Sequence, residues 1–331
     1  MVNAVTVSEL SKHYDGLVAV DAVSFEVGSA EIFGFLGPNG AGKTTTISML
    51  STLIKPTSGR ASIAGHDVAS DPAAVRREIG IVFQDTTLDD RLTARENLAF
   101  HGELYGMSRA EISQRVAEIL GRVGLFERAD DIVLTYSGGM RRRLEVARGL
   151  MHWPSVLFLD EATLGLDPQT RRTVWDHIRS LRESEGATIF LSTHYMEEAE
   201  ACDRIAVIDA GKIIALDSPT ALKSKMGGDV VTVAGPDNDA LAQEIRQAFE
   251  LEAKDTGTEL EFSVPDGGQF IPILLSRLSG AVESVSIRRP TLDDVFVSLT
   301  GHQIRDSGAG EAERRRTDLT RMIGRGFGGR R

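Results

Sequence analysis

Over residues 2–222, short β-branched and apolar runs alternate with amphipathic stretches and glycine-rich turns. Residues 19–27, 32–36, 79–83, 156–159, 188–191 and 205–208 are predicted strands. Several of them are apolar throughout, as expected where helices cover both faces of a sheet. Between about 89 and 153 the strand signal stops, and residues 93–105, 109–123 and 137–151 carry a helical period instead. The pattern predicts an α/β domain interrupted by an all-helical insertion.

A composition break at Gly227-Gly228 starts a second unit, residues 229–301. Strands are predicted there at 230–233, 259–264 and 282–287, around helices at 239–250 and 269–278, which makes a small α+β domain. The chain thus divides into a domain over 1–226, with its helical subdomain at about 89–153, an accessory domain over 227–301, and a tail over 302–331. The tail is rich in Gly and Arg and lacks hydrophobic periodicity, so it is expected to be disordered. From Arg305 onward it carries eight Arg against two Asp and two Glu, a balance of +4. Such a segment is a solvated tail or a weak attractor for anionic lipid or RNA.

The chain has 331 residues, room for one large and one smaller domain. Its 37 basic and 48 acidic residues give a net charge of −11, which disfavours a broad nucleic-acid-binding face, so no nucleic acid is expected as a partner. The single cysteine, Cys202, rules out an intrachain disulfide and suggests a reducing compartment. It stands near Ala199 and Ala201 before a strand-like run, the setting of a buried structural thiol. Residues 1–10 have neither the basic nor the apolar region of a signal peptide. The apolar runs are strand-length, well short of the ~20 residues of a membrane-spanning helix. Work at a membrane would require docking onto another chain.

Gly37, Pro38, Asn39, Gly40, Ala41, Gly42, Lys43 and Thr44 match G-x-x-x-x-G-K-[ST] in full, after a predicted strand and at the start of a helix. Glycines at these positions let backbone N–H groups curl around phosphate oxygens, and the helix N-terminus adds positive potential. Lys43 is placed for the β- and γ-phosphates of ATP, Thr44 for Mg²⁺, and Thr45 is counted with the nucleotide site. A second site follows the apolar residues 156–159, which end in Asp160 and Glu161. Carboxylates at the end of a buried strand are costly unless a cation or substrate compensates. Asp160 reads as the acid that holds Mg²⁺ through water, and Glu161 as the group that orients or deprotonates the attacking water.

The order of these motifs resembles the nucleotide-binding subunits of ATP-binding cassette (ABC) transporters over residues 2–222. The resemblance implies an α/β P-loop NTPase with a RecA-like core, an antiparallel β subdomain and the helical insertion. In that family a Ser-Gly-Gly signature precedes the second acidic site. Here it is Tyr136-Ser137-Gly138-Gly139-Met140, followed by Arg141-Arg142-Arg143. Tyr136 and Met140 replace the usual Leu and Gln, while Ser137, Gly138 and Gly139 keep the anion-binding helix start. The resemblance makes Tyr14 the aromatic that stacks on adenine, and Gln84 the glutamine that senses Mg²⁺ and water. It makes Asp167, in Gly165-Leu166-Asp167, the D-loop residue that touches the partner, and His194 the switch histidine at the γ-phosphate. Ala162 replaces the usual Pro, from which altered local stiffness is expected rather than lost hydrolysis. Residues 288–296 and Leu299-Thr300-Gly301 resemble the ending of daunorubicin-resistance-type exporter ATPases, favouring export of drugs or lipids over nutrient import.

One P-loop and one signature on separate lobes cannot meet within a chain. Two copies are therefore expected to pair head to tail, with ATP between Lys43 of one and Ser137 of the other. The resemblance places such a dimer at the cytoplasmic face of the cell membrane as a peripheral protein, driving a separate polytopic membrane subunit. The alternative is a non-transport ABC ATPase working on a ribosome or another macromolecular complex. A P-loop kinase or GTPase leaves Ser137-Gly138-Gly139 and His194 unexplained.

Overall fold

A computed structural model describes residues 3–278 and 282–301. The basic tail expected over 302–331 lies outside the described residues. The chain opens with β1 (Asn3–Tyr14), β2 (Leu17–Gly28), β3 (Ile32–Leu36), α1 (Lys43–Leu50), β4 (Ser58–Ile63), β5 (His66–Asp67), α2 (Pro72–Glu78) and β6 (Ile79–Val82). Next come the insertion helices α3 (Ala94–Leu104), α4 (Arg109–Arg122) and α5 (Gly138–Gly149). The chain then returns through β7 (Val156–Asp160), α6 (Pro168–Glu185), β8 (Thr188–Thr193), α7 (Met196–Glu200), β9 (Arg204–Asp209), β10 (Lys212–Asp217) and α8 (Pro219–Ser224). It finishes with β11 (Asp229–Ala234), α9 (Asn238–Phe249), β12 (Lys254–Asp255), β13 (Leu260–Val264), α10 (Gly267–Arg277), β14 (Ser284–Arg288) and α11 (Leu292–Thr300).

The main sheet runs in the order β10-β9-β3-β8-β7-β6. All its pairs are parallel except the edge pair β10–β9. Every residue of β3, β7 and β8 is buried, which accounts for the apolar runs 32–36, 156–159 and 189–191 within them. Leu36 pairs with Thr193, and Asp160 pairs with Ser192. The carboxyl ends of β3, β7 and β8 therefore form one edge, where parallel sheets present their ligand sites.

A second, antiparallel sheet runs β2-β1-β4-β5. Its strand β1 was not among the strands expected from the sequence. Glu9 adopts φ 49° and the β1–β2 register shifts between Val7 and Leu10, so the alternation breaks in mid-strand. Phe25 of this sheet stacks on Phe33 at 5.5 Å and lies 5.9 Å from Phe190, knitting the two sheets into one core.

In the insertion, α3 and α4 each start at a reciprocal capping box, Thr93 with Glu96 and Ser108 with Glu111. The composition break at Gly227-Gly228 falls between α8 and β11. Beyond it stands a four-stranded antiparallel sheet, β12-β13-β11-β14, packed with α9 and α10 around Val231, Leu241, Ile245, Phe262 and Leu274. The last helix, α11, leaves this sheet: its Leu292, Val295 and Phe296 are buried in the core of the larger domain with Ala199, Cys202 and Leu222. Among the described residues, no helix is long and apolar enough to cross a membrane.

Candidate nucleotide site

The loop joining β3 to α1 carries the glycine-rich motif. Gly42 caps α1 with φ 106°, and a Cβ there would meet the Ala19 carbonyl oxygen at 2.6 Å. A Cβ on Gly37 would lie 2.3 Å from the Ile208 oxygen. Only glycine serves at both positions, one for its backbone angle and both for space. Lys43 is buried and folds back into the loop, where its Nζ donates to the Gly37 oxygen at 2.7 Å and the Pro38 oxygen at 3.0 Å. Asn39, Gly40 and Thr44 are exposed along the rim, Thr45 is half-buried and Ala41 is buried.

Opposite the loop stand the two acids at the end of β7. Asp160 Oδ1 accepts from Ser192 Oγ at 2.5 Å and from Thr44 Oγ1 at 3.3 Å. Burial pushes the Asp160 carboxyl above its ordinary range, against the pull of those hydroxyls. Glu161 Oε1 lies 3.2 Å from Lys43 Nζ and 3.5 Å from His194 Nδ1. Burial alone would raise the Glu161 carboxyl, but His194 and Lys43 outweigh it and hold the group below its usual range. Burial likewise lowers the Lys43 ammonium, opposed by Glu161. One oxygen of Glu161 thus joins the lysine of the phosphate loop and the histidine beyond β8.

Ser192, on β8, is a member of the site that none of the sequence motifs marked. Besides bonding Asp160, its hydroxyl and its carbonyl oxygen both accept from the Glu161 amide, at 3.1 and 3.2 Å. A hydroxyl residue near the end of the apolar strand β8 was the available signal.

The Ser-Gly-Gly segment starts α5. Ser137 is its N-cap, with Oγ accepting from the Met140 amide at 3.3 Å, and both Ser137 and Gly138 are exposed. A Cβ on Gly139 would lie 2.3 Å from Thr170 Cγ2. Within the chain this segment therefore packs beside the loop and helix after β7. Tyr136 is buried, and its hydroxyl donates to the Arg128 oxygen at 2.5 Å, an anchor that Leu would lack. The arginines after the signature bind inward. Arg141 donates to the Leu134 oxygen at 2.9 Å and Arg143 to the Val123 oxygen at 2.8 Å.

The remaining candidates lie outside the Lys43–Glu161–His194 cluster. Tyr14 is 47% exposed at the β1–β2 turn, with Lys12 Nζ 5.1 Å from its ring centroid. Gln84 is exposed just after β6, at the same sheet edge as Asp160 because Val82 pairs with Leu159. Asp167 caps α6 by accepting from the Thr170 amide at 3.0 Å, and the Thr170 hydroxyl, together with that amide, draws its carboxyl below the usual range. The Cys202 thiol is buried and pushed well above its ordinary value by burial, so it is an inert structural group.

Mg²⁺ takes hard oxygen ligands and keeps several waters, so it needs few groups from the protein. Thr44 Oγ1 and Asp160 Oδ1, already 3.3 Å apart, supply such a pair, and this donor set fits the ion.

A phosphate loop, a buried and a half-buried acid at the end of β7, a histidine after β8 and a Ser-Gly-Gly helix start, set around one mostly parallel sheet, define an ATP-binding cassette ATPase. Residues 20–164 match the ABC transporter family, and residues 218–300 match the C-terminal domain of DrrA1-3-like ATP-binding proteins. The chain is 41% identical to the daunorubicin/doxorubicin resistance ATP-binding protein DrrA of Streptomyces peucetius, over 93% of this chain and 96% of that one. It is 42% identical to Nod factor export ATP-binding protein I of Burkholderia orbicola, over 90% and 97%. A dimeric ATP-binding cassette solved in a post-hydrolysis state with ADP and Pi superposes with a TM-score of 0.58 at 27% identity, covering 65% of this chain and 98% of that one. The chain belongs to the ABC transporter ATP-binding proteins of the daunorubicin-resistance type.

Proposed function

We propose that two copies of this chain bind ATP between them and hydrolyse it with Mg²⁺, driving a separate membrane-spanning subunit that exports a drug, an antibiotic or a lipid. The observation that carries this reading is the buried contact of Glu161 Oε1 with Lys43 at 3.2 Å and His194 at 3.5 Å. Lys43 and the amides of residues 37–45 hold the phosphates, and Tyr14 stacks on the adenine. Thr44 and Asp160 would hold Mg²⁺, with Gln84 contributing at the same sheet edge, and the ion would neutralise phosphate charge. Glu161, kept ionised, takes the proton of the attacking water, and His194 contacts the γ-phosphate.

The exposed Ser137 and Gly138, with the half-buried Gly139, close over the nucleotide of the other copy, and Asp167 lies at the seam. ATP closes the dimer only to the extent that it binds the closed form better. The segment after β6 and the end of α3, with Phe100 and Leu104 exposed, receives the cytoplasmic helix of the membrane subunit. The protein then works peripherally at the cytoplasmic face of the cell membrane, with residues 1–226 as the ATPase domain and 227–301 as the accessory domain. Relatives named for daunorubicin/doxorubicin resistance and for Nod factor export support the exporter reading.

A Glu161→Gln chain should bind ATP and dimerise while losing turnover; unchanged turnover would reject the site. The tagged full chain should recover a polytopic membrane protein from membranes, and recovery with ribosomes alone would reject the transport role.

A further inference from the structure

Arg142 stands on the second turn of α5 and is 7% exposed. Its Nη1 donates to the Phe83 oxygen at 2.6 Å and to Glu145 Oε2 at 2.7 Å. Nη2 donates to the Glu161 oxygen at 3.3 Å, and Nε donates to the Ala162 oxygen. Glu145, 2% exposed, uses its other oxygen to accept from the Thr87 amide at 2.7 Å. One buried ion pair on the signature helix therefore grips the backbone on both sides of the site. Phe83 immediately precedes Gln84, and Thr87 lies three residues beyond it. Glu161 and Ala162 are the turn that carries the hydrolytic carboxylate.

That turn is strained. Glu161 has φ 47°, a left-handed conformation that a non-glycine residue holds only where its surroundings enforce it. Its amide donates to Ser192, and its carbonyl accepts from Arg142 at 3.3 Å and from the Leu164 amide at 3.1 Å. The planar guanidinium fork serves three carbonyls and a carboxylate at once, which the point charge of lysine cannot do.

We propose that Arg142, braced by Glu145, is a positioning residue for hydrolysis. It holds the left-handed turn that aims Glu161 at Lys43, and it ties that turn and the Gln84 segment to the signature helix of the same chain. A shift of α5 is thereby delivered to the hydrolytic carboxylate. The inference rests on Glu161 acting in hydrolysis. A mere packing role for Arg142 would affect folding and nucleotide affinity together with turnover.

The test uses the purified full chain, with kcat and KM for ATP measured side by side. Arg142→Lys should lower kcat about tenfold or more while KM stays within about twofold. In Arg142→Ala, millimolar guanidinium ion should restore part of kcat. Glu145→Gln, which preserves shape, should shift kcat in the same direction and serves as the test if the Arg142 variants do not fold. Wild-type kcat in folded Arg142→Lys or in Glu145→Gln overturns the proposal, as does a loss that follows KM and is not rescued by guanidinium. Glu161→Gln is assayed in parallel. Persisting turnover in that variant rejects the site itself, whereas its inactivity beside a fully active Arg142→Lys rejects only the positioning role.

Discussion

The Thr163 hydroxyl donates a hydrogen bond to the Glu198 carboxylate, and both side chains are buried. Thr163 lies two residues after Glu161, and Glu198 lies on α7, four residues after His194. The bond therefore latches the loop behind one candidate hydrolytic group to the helix behind the other. Removing the hydroxyl leaves a buried carboxylate without that donor. Thr163→Val should destabilise the protein by about 2–3 kcal/mol in urea unfolding. Adding Glu198→Met should recover most of the loss, because the unpaired carboxylate goes with it. A double variant as unstable as the sum of the two singles would show that the latch contributes nothing.

Acid should weaken the insertion. Burial lowers His101 to about 3 and His152 to about 4, and the Tyr105 ring stacks on His152 at 3.7 Å. A histidine whose folded value lies below its unfolded value of about 6.5 favours the folded state above that pH and withdraws support as pH falls through it. For His101 alone, stability at pH 5 should be about 2 kcal/mol below that at pH 7, a figure insensitive to whether the folded value is 3 or 4. Unfolding midpoints of wild type and His101→Phe across this range check it. The variant should show a shallower fall, and parallel curves would contradict the assignment.

The last helix should behave as part of the larger domain. Phe296 is 1% exposed in a core shared with Ala199 and Leu222. Phe296→Ala should cost about 3–5 kcal/mol. Amide hydrogen exchange should quicken in α7 and α8, while β11 and β13 keep their protection. Faster exchange confined to the C-terminal sheet would contradict this packing.

The sequence was most readable where chemistry and pattern coincide. Apolar strands β3, β7 and β8 are buried throughout, and the glycines of the phosphate loop announce a backbone that no other residue could adopt. The strand β1 was hidden because its bulges break the two-residue period. The strand β10, half-buried at the sheet edge, lacks a continuous apolar run. Arg141, Arg142 and Arg143 read as a basic run, because the carbonyls they bind lie 7, 59 and 20 residues away along the chain and only the fold brings them together. The ending at Thr291-Leu292 was recognisable by resemblance, yet its packing partner was not. A three-residue apolar face says that a helix is buried, but not against which domain.

The central claim is that each ATP site is shared between two copies. Mixing Lys43→Ala chains with Ser137→Arg chains tests it most directly, since each homodimer lacks one essential half of both sites. With random pairing, half of the dimers are mixed and each has one intact site out of two, so activity should recover to about a quarter of wild type. Phosphate release from the mixture that stays at the level of the separate variants would contradict the shared site.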